Sequence, residues 1–178
     1  MNIGALCVEG TANDDLWYWN DKAGEYGLER IKVVNQPAEI DTLTALIIPG
    51  GSSEIILDSI YRSGLDEPIK AMAVAGKYLW GRCAGLVCIA TTVIEPDSII
   101  YGEAAYGPLK NAPLGLLPIT VTRLGYPAAY WRPTVTLPEG IDQGTGYFAD
   151  APLVTDIEVD HSMETTVGGY VWPNPEED

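Results

Sequence analysis

Histidine occurs once in this chain of 178 residues, cysteine three times and basic residues only ten times, and each scarcity closes off a class of function. A Cys/His zinc site needs several closely spaced ligands, and a single histidine with no CxxC pair does not fit one. Cys7, Cys83 and Cys88 are odd in number, which does not suit a disulfide framework. The 10 Lys and Arg stand against 25 Asp and Glu, leaving a net charge of −15 and a pI near 4.2. Such a surface repels phosphate, so neither nucleic acid nor an anionic membrane is expected as a partner. The acidity itself reads as solubility, a salty cytoplasm included, or as a face for a basic partner. No apolar run approaches the roughly 18 residues of a membrane span. The start, "MNIGALCVEG", lacks the basic residues and long apolar stretch of a secretory signal. A soluble, cytoplasmic protein is the expectation.

What the chain does have is alternation. With 47% hydrophobic residues over this length, one compact domain spanning 1–178 is expected. Ile3 to Val8 reads as a strand; "NDDLWYWNDKAGEYG" follows as a helix capped by Asn13 and closed by Gly27. "RIKVVN" reads as a second strand and "LTALIIPGG" as a third, apolar throughout as a strand covered on both faces tends to be. Ser52 or Ser53 then caps a helix over "EIILDSIYRSG", and "DEPIKAMAVAGK" supplies another with Pro68 in its first turn. "YLWG" is the fourth strand, and helix-length sequence runs from Cys83 to about Val93. This order predicts an α/β fold with a mainly parallel central sheet. Beyond it, "LGLLPITVTRLGY", "RPTVTLPEG", "TGYFADAP" and "LVTDIEVD" are short β-like runs between Pro and Gly, expected as an antiparallel or mixed extension of that sheet. The acidic end, "WPNPEED", reads as loop.

Two glycine-rich points lie at strand ends, where sheets of this type bind ligands. Gly81-Arg82-Cys83-Ala84-Gly85 has the form G-x-nucleophile-x-G, in which small flanking residues let a strand turn sharply into a helix with the central side chain held outward. A helix N-terminus favours the thiolate, the form that attacks a carbonyl, and its N–H groups, that of Ala84 among them, can hold an oxyanion. Gly50 and Gly51 after the third strand would complete that oxyanion site from the same sheet edge, or serve only as a tight turn. Cys7 and Cys88 sit inside apolar runs and read as packing residues.

In this order and at suitable spacing, "IGALCVEG", "LTALIIPGGSSEII", "AGKYLWGRCAGLVCIA", "PLGLLPITVTR" and "TGYFADAP" resemble the class I glutamine amidotransferases, most closely the glutaminase subunits of pyridoxal 5′-phosphate synthase. The resemblance implies a flavodoxin-like three-layer sandwich that hydrolyses glutamine to glutamate and ammonia for a synthase subunit. It makes Cys83 the acyl-forming nucleophile and sets Gly50, Gly51, Ser52 and Ala84 around the substrate; no cofactor is expected. The family's His-Pro-Glu, where His is the base and Glu orients it, has its counterpart here in Asn174-Pro175-Glu176. Asn cannot take a proton from a thiol. His161 is then the one candidate for a repositioned base, with Glu176 as the acid of the motif, or else a surface-turn histidine beside acidic residues. Other departures are Glu9 for the family's Gln, Ser52 for the acid after Gly-Gly, and "LGYPAAYWRP" for an Arg-rich stretch. These residues leave three readings: a working glutaminase, a catalytically impaired homologue kept as a binding or regulatory partner, or another amide hydrolase with a cysteine elbow.

Overall fold

A computed structural model describes residues 2–13, 16, 20, 21, 23–27, 29–95, 109–123 and the strand at 153–157. Its first half is a four-stranded parallel sheet of β1 (Ile3–Leu6), β2 (Lys32–Val34), β3 (Ala45–Ile48) and β4 (Tyr78–Gly81), in the order β2-β1-β3-β4. The chain steps outward from β1 to β2 and then returns to the other side of β1 for β3. In open α/β sheets the carboxyl ends of the strands at such a reversal, here β1 and β3, are where ligands bind. Between β1 and β2, Leu16, Asn20, Asp21 and Ala23 have helical backbone, and Gly27, at φ 65°, closes the turn Gly24–Tyr26 as the sequence predicts.

The two central strands are the apolar ones because both their faces are covered: all four residues of β3 are buried, against only Val34 in β2. Helix α1 (Ser53–Ser63) turns Ile56, Leu57 and Ile60 inward and Glu54, Asp58 and Arg62 outward or to the rim. Gly64, at φ 70°, ends it. Helix α2 (Asp66–Val74) buries Ile69 and Met72, one turn apart, and starts with Asp66 and Glu67 where the helix dipole favours acids. These side chains join Leu6, Val34, Ile40, Leu43, Leu46 and Ile48 in one core, which Ile89 and Cys88 of α3 (Ala84–Ile89) complete.

Two expectations change here. The helix starting at the Cys83 elbow ends at Ile89 rather than near Val93, and β5 (Ala90–Ile94) takes over at once. Thr91-Thr92-Val93-Ile94 is a β-branched run, and such side chains lose rotamer freedom in a helix while packing well on a pleated surface. The second change concerns the extension. β5 pairs in parallel with β6 (Leu117–Thr122), which pairs antiparallel with β7 (Leu153–Ile157). The mixed pairing is thus present, and it is carried by a three-stranded sheet of its own. This sheet has a small core of Ala90, Ile119 and Val121, shared with Val87 of α3. Helix α3 therefore touches both cores, and the link from the elbow to the second sheet is only six residues long.

Candidate active site

Strand register brings the two glycine-rich points together. Ile48, the last residue of β3, stands opposite Gly81, the last of β4, and the Arg82 N–H continues the ladder to the Ile48 carbonyl at 3.0 Å. Cys83 comes next, at φ 51° and ψ −115°, the one non-glycine residue with positive φ among the described residues. A side chain in that region costs about 1–3 kcal/mol of backbone strain. The surroundings enforce it from both sides. The Gly85 N–H donates to the Arg82 carbonyl at 2.8 Å and the Leu86 N–H to that of Cys83 at 2.9 Å, starting α3 immediately. A Cβ on Gly81 would lie 2.6 Å from the Gly85 oxygen, and one on Gly85 would overlap the Ile48 carbonyl. The spacing G-x-C-x-G is thus required by backbone packed on backbone.

Gly50 faces the elbow closely enough that a Cβ added there would sit 3.3 Å from the Cys83 Cβ and 3.7 Å from Arg82 Nη2. The turn carrying it is stitched to the loop after β1: the Ala12 N–H donates to the Gly50 carbonyl at 2.8 Å, and the Ser52 N–H to that of Gly10 at 3.0 Å. Gly51 bridges Thr11 in between at φ 134°, where a Cβ would overlap the Gly10 carbonyl. The turn thus gives that loop one carbonyl, of Gly50, and one N–H, of Ser52, while the N–H groups of Gly50, Gly51 and Ala84 have no acceptor among the described residues. Donors without acceptors beside a sulfur atom are what an oxyanion site needs.

Ser52 occupies the position before α1, as predicted, but its hydroxyl makes no capping bond. Its backbone is extended and tied to Gly10 instead, and its Oγ is buried with no hydrogen-bond partner. A lone buried hydroxyl at this spot is suited to a bound polar group. Ser53, 5% exposed, packs below it with its carbonyl 3.9 Å from Cys88 Sγ.

The other two thiols differ in kind from Cys83. Burial pushes the Cys88 thiol far above its ordinary range, so it stays protonated. Cys7 is half-buried, donates to Asn13 Oδ1 at 3.3 Å, and is likewise raised by burial. Both read as packing residues in the sequence; Cys7 keeps partial access to solvent. Glu9, at the family's Gln position, is exposed and ion-paired to Arg62 at 2.8 Å. His161, Asn174 and Glu176 lie outside the described residues. No group of three His, Cys, Asp or Glu suited to a metal ion occurs among the described residues, and no helix among them is long and apolar enough to cross a membrane.

Sequence reasoning missed one cluster. Arg123, just past β6, holds Glu95 through Nη1 at 3.0 and 2.9 Å and Glu54 through Nη2 at 3.2 Å. Glu54 lies 69 residues away in the chain, in the first turn of α1. No local pattern signals such a pairing.

Comparisons with known proteins bear on the family and the fold. The model of the SNO glutamine amidotransferase family matches residues 20–169. The chain belongs to that family. A relative named pyridoxal 5′-phosphate synthase subunit PdxT, from Dehalococcoides mccartyi, is 37% identical over 123 residues, which is 69% of this chain. The match spans 55% of that relative's length, little more than half. A PdxT from Geobacillus kaustophilus is 30% identical over 159 residues, covering 88% of this chain and 71% of the relative. A solved structure described as a glutamine amidotransferase superposes with a TM-score of 0.67 at 22% identity, covering 89% of this chain and 76% of the other. That likeness speaks for the fold, the α/β arrangement with a mainly parallel sheet, which the family shares.

Proposed function

We propose that this SNO-family chain, as one domain over residues 1–178, hydrolyses glutamine to glutamate and ammonia and delivers the ammonia to a pyridoxal 5′-phosphate synthase subunit in the cytoplasm. The observation that carries this is the strained Cys83 facing unpaired N–H groups on Gly50, Gly51 and Ala84. The Cys83 thiolate attacks the side-chain amide carbon of glutamine, and the oxygen that gains charge is received by those N–H groups. The carbon–nitrogen bond then breaks and the nitrogen leaves as ammonia, taking a proton. Water attacks the resulting thioester, releasing glutamate and restoring the thiol. The Ser52 hydroxyl offers the substrate a hydrogen bond. The guanidinium of Arg82 lies beside Gly50, on the same side as the elbow. His161 serves as the base, with Glu176 as its orienting acid. The family match and the PdxT names of the relatives support the substrate and the partner.

Glutamate release from the full chain, with and without a synthase subunit, tests this. Turnover is expected to vanish in Cys83→Ala and to fall in His161→Ala. Turnover surviving in Cys83→Ala overturns the mechanism, and loss in the cysteine variant alone removes His161 from it. Asn174 in place of the family's His favours a second reading, a homologue that keeps the elbow but has lost catalysis. Wild-type protein that binds the synthase subunit yet releases no glutamate in its presence selects that reading.

A further inference from the structure

Arg62, Lys70 and Arg123 are each ion-paired, whereas Arg30 and Lys32, both exposed, have no carboxylate partner among the described residues. In a chain with 25 acidic and 10 basic residues, two neighbouring unpaired cations are a local exception. They lie at the start of β2, the outermost strand of the parallel sheet, and line a groove of about 620 Å³ with Ile31, Val33, Glu39 and Thr42. The backbone along this groove is guarded at both ends and bare between. The Cys7 N–H donates to the Val34 carbonyl at 2.8 Å, so the backbone groups of Val34 face β1 and, by the alternation of a strand, those of Val33 face away from it. On either side, the Ile31 N–H is taken by Asn20 Oδ1 at 2.7 Å and the Asn35 N–H by Glu39 Oε2 at 2.7 Å. Between them the N–H and carbonyl of Val33 have no partner among the described residues. Glu39, the acid in the groove lining, turns its carboxylate to the Asn35 and Gln36 N–H groups and leaves the two cations unanswered. The Val33 side chain is 48% exposed, on the opposite face of the strand from Lys32.

We propose that this groove docks an extended acidic segment of a partner protein, which adds to β2 as a short strand. One residue of the guest exchanges two backbone bonds with Val33, an acidic side chain next to it meets Lys32 and Arg30, and an apolar one covers the Val33 side chain. The guest is therefore a stretch in which acidic and apolar residues alternate. Charge complementarity selects it: β2 of a second copy would crowd Arg30 and Lys32 against the same cations. Lysine on a sheet edge can also serve only to keep other strands away, and that role needs no acidic guest. The proposal does not rest on the glutaminase reading, since β1 and β3 stand between β2 and the strand that leads to Cys83.

The test is titration of the full chain with two labelled, end-blocked peptides, TVEVET and its uncharged counterpart TVQVQT, followed by fluorescence anisotropy. TVEVET should saturate with a Kd between about 10 μM and 1 mM, and TVQVQT should bind at least about threefold more weakly. Arg30→Gln and Lys32→Gln should each weaken TVEVET by about twofold to fivefold and leave TVQVQT unchanged. Val33→Pro removes the outward N–H without touching a bond to β1, and should weaken both peptides by about fivefold. Protection of the Val33 amide from hydrogen exchange by TVEVET reads the same bond in the unaltered chain, whatever the proline variant does to folding. No saturable binding of TVEVET up to about 1 mM leaves Arg30 and Lys32 as guards of a bare edge and overturns the proposal. Equal affinity for the two peptides, or a Val33 amide that exchanges as fast with TVEVET as without it, overturns it as well. Self-association of the chain, seen by sedimentation and abolished in the Arg30→Gln, Lys32→Gln double variant, makes a second copy the occupant and also overturns it.

Discussion

Cys83 and Cys88 lie five residues apart, at the tip and in the body of one short helix, and their environments could hardly differ more. At the tip, the backbone takes a conformation that side chains avoid, and the glycine turn stands opposite. In the body, Cys88 is wholly enclosed, facing α1 with its sulfur toward the Ser53 carbonyl. The side-chain chemistry is identical in both, so any difference in their behaviour belongs to position alone. In the body, burial outweighs the opposing charge of Arg123 and the thiol holds its proton.

Removing the turn that separates the two environments should give the largest effect. Gly85→Ala puts a methyl group into the Ile48 carbonyl, a backbone atom of a central strand that cannot move aside. A loss of about 3 kcal/mol or more is expected, lowering Tm by roughly 6–12 °C for a chain of this size. Alkylation of Cys83 in the surviving folded fraction should fall at least tenfold. A Gly85→Ala protein with wild-type Tm and wild-type Cys83 reactivity would show that the elbow is not built as described.

The second effect is a dependence on pH that belongs to Cys88. Its ordinary value is 9.0, and burial raises it in the folded state, so above that pH the unfolded chain loses a proton that the folded chain retains. The contribution is fully present below pH 9 and is lost as pH rises toward the folded value. The slope is about 1.4 kcal/mol per pH unit, or roughly 3–6 °C in Tm. Melting curves between pH 8 and 10.5 should show this steepening in the wild type and a shallower decline in Cys88→Ala. Parallel curves would mean that Cys88 reaches water.

The contrast between the cysteines was legible in the sequence because glycines mark it. Gly81 and Gly85 are demanded by carbonyl oxygens at 2.6 Å or less from where a Cβ would be, and a demand of that kind leaves the same residue type at the same spacing. The four parallel strands were legible for a similar reason: Ala45–Ile48 is apolar without interruption because both its faces are covered. Where two local signals competed, the reading failed. The apolar stretch Leu86 to Val93 suits a helix face as well as a strand, and the β-branched run from Thr91 decided for strand. Ser52 looked like a cap because serine before a helix usually caps, yet its backbone had been recruited by Gly10, a partner 42 residues earlier. The Glu54–Arg123 pair had no local signal, since only the meeting of α1 with β6 creates it.

The smallest effect isolates the strain itself. Cys83→Gly and Cys83→Ala both remove the sulfur, but only glycine is at ease at φ 51°. Glycine releases about 1–3 kcal/mol of strain and gives back about 0.5–1 kcal/mol through the greater freedom of the unfolded chain. The glycine variant should therefore be the more stable of the two by about 1 kcal/mol, seen as a Tm roughly 2–4 °C higher. At an unstrained position the order reverses, with alanine ahead by the ordinary glycine penalty. The sign of one difference in Tm thus separates a cysteine held up against its preference, as the opposing glycines require, from one that merely begins a helix.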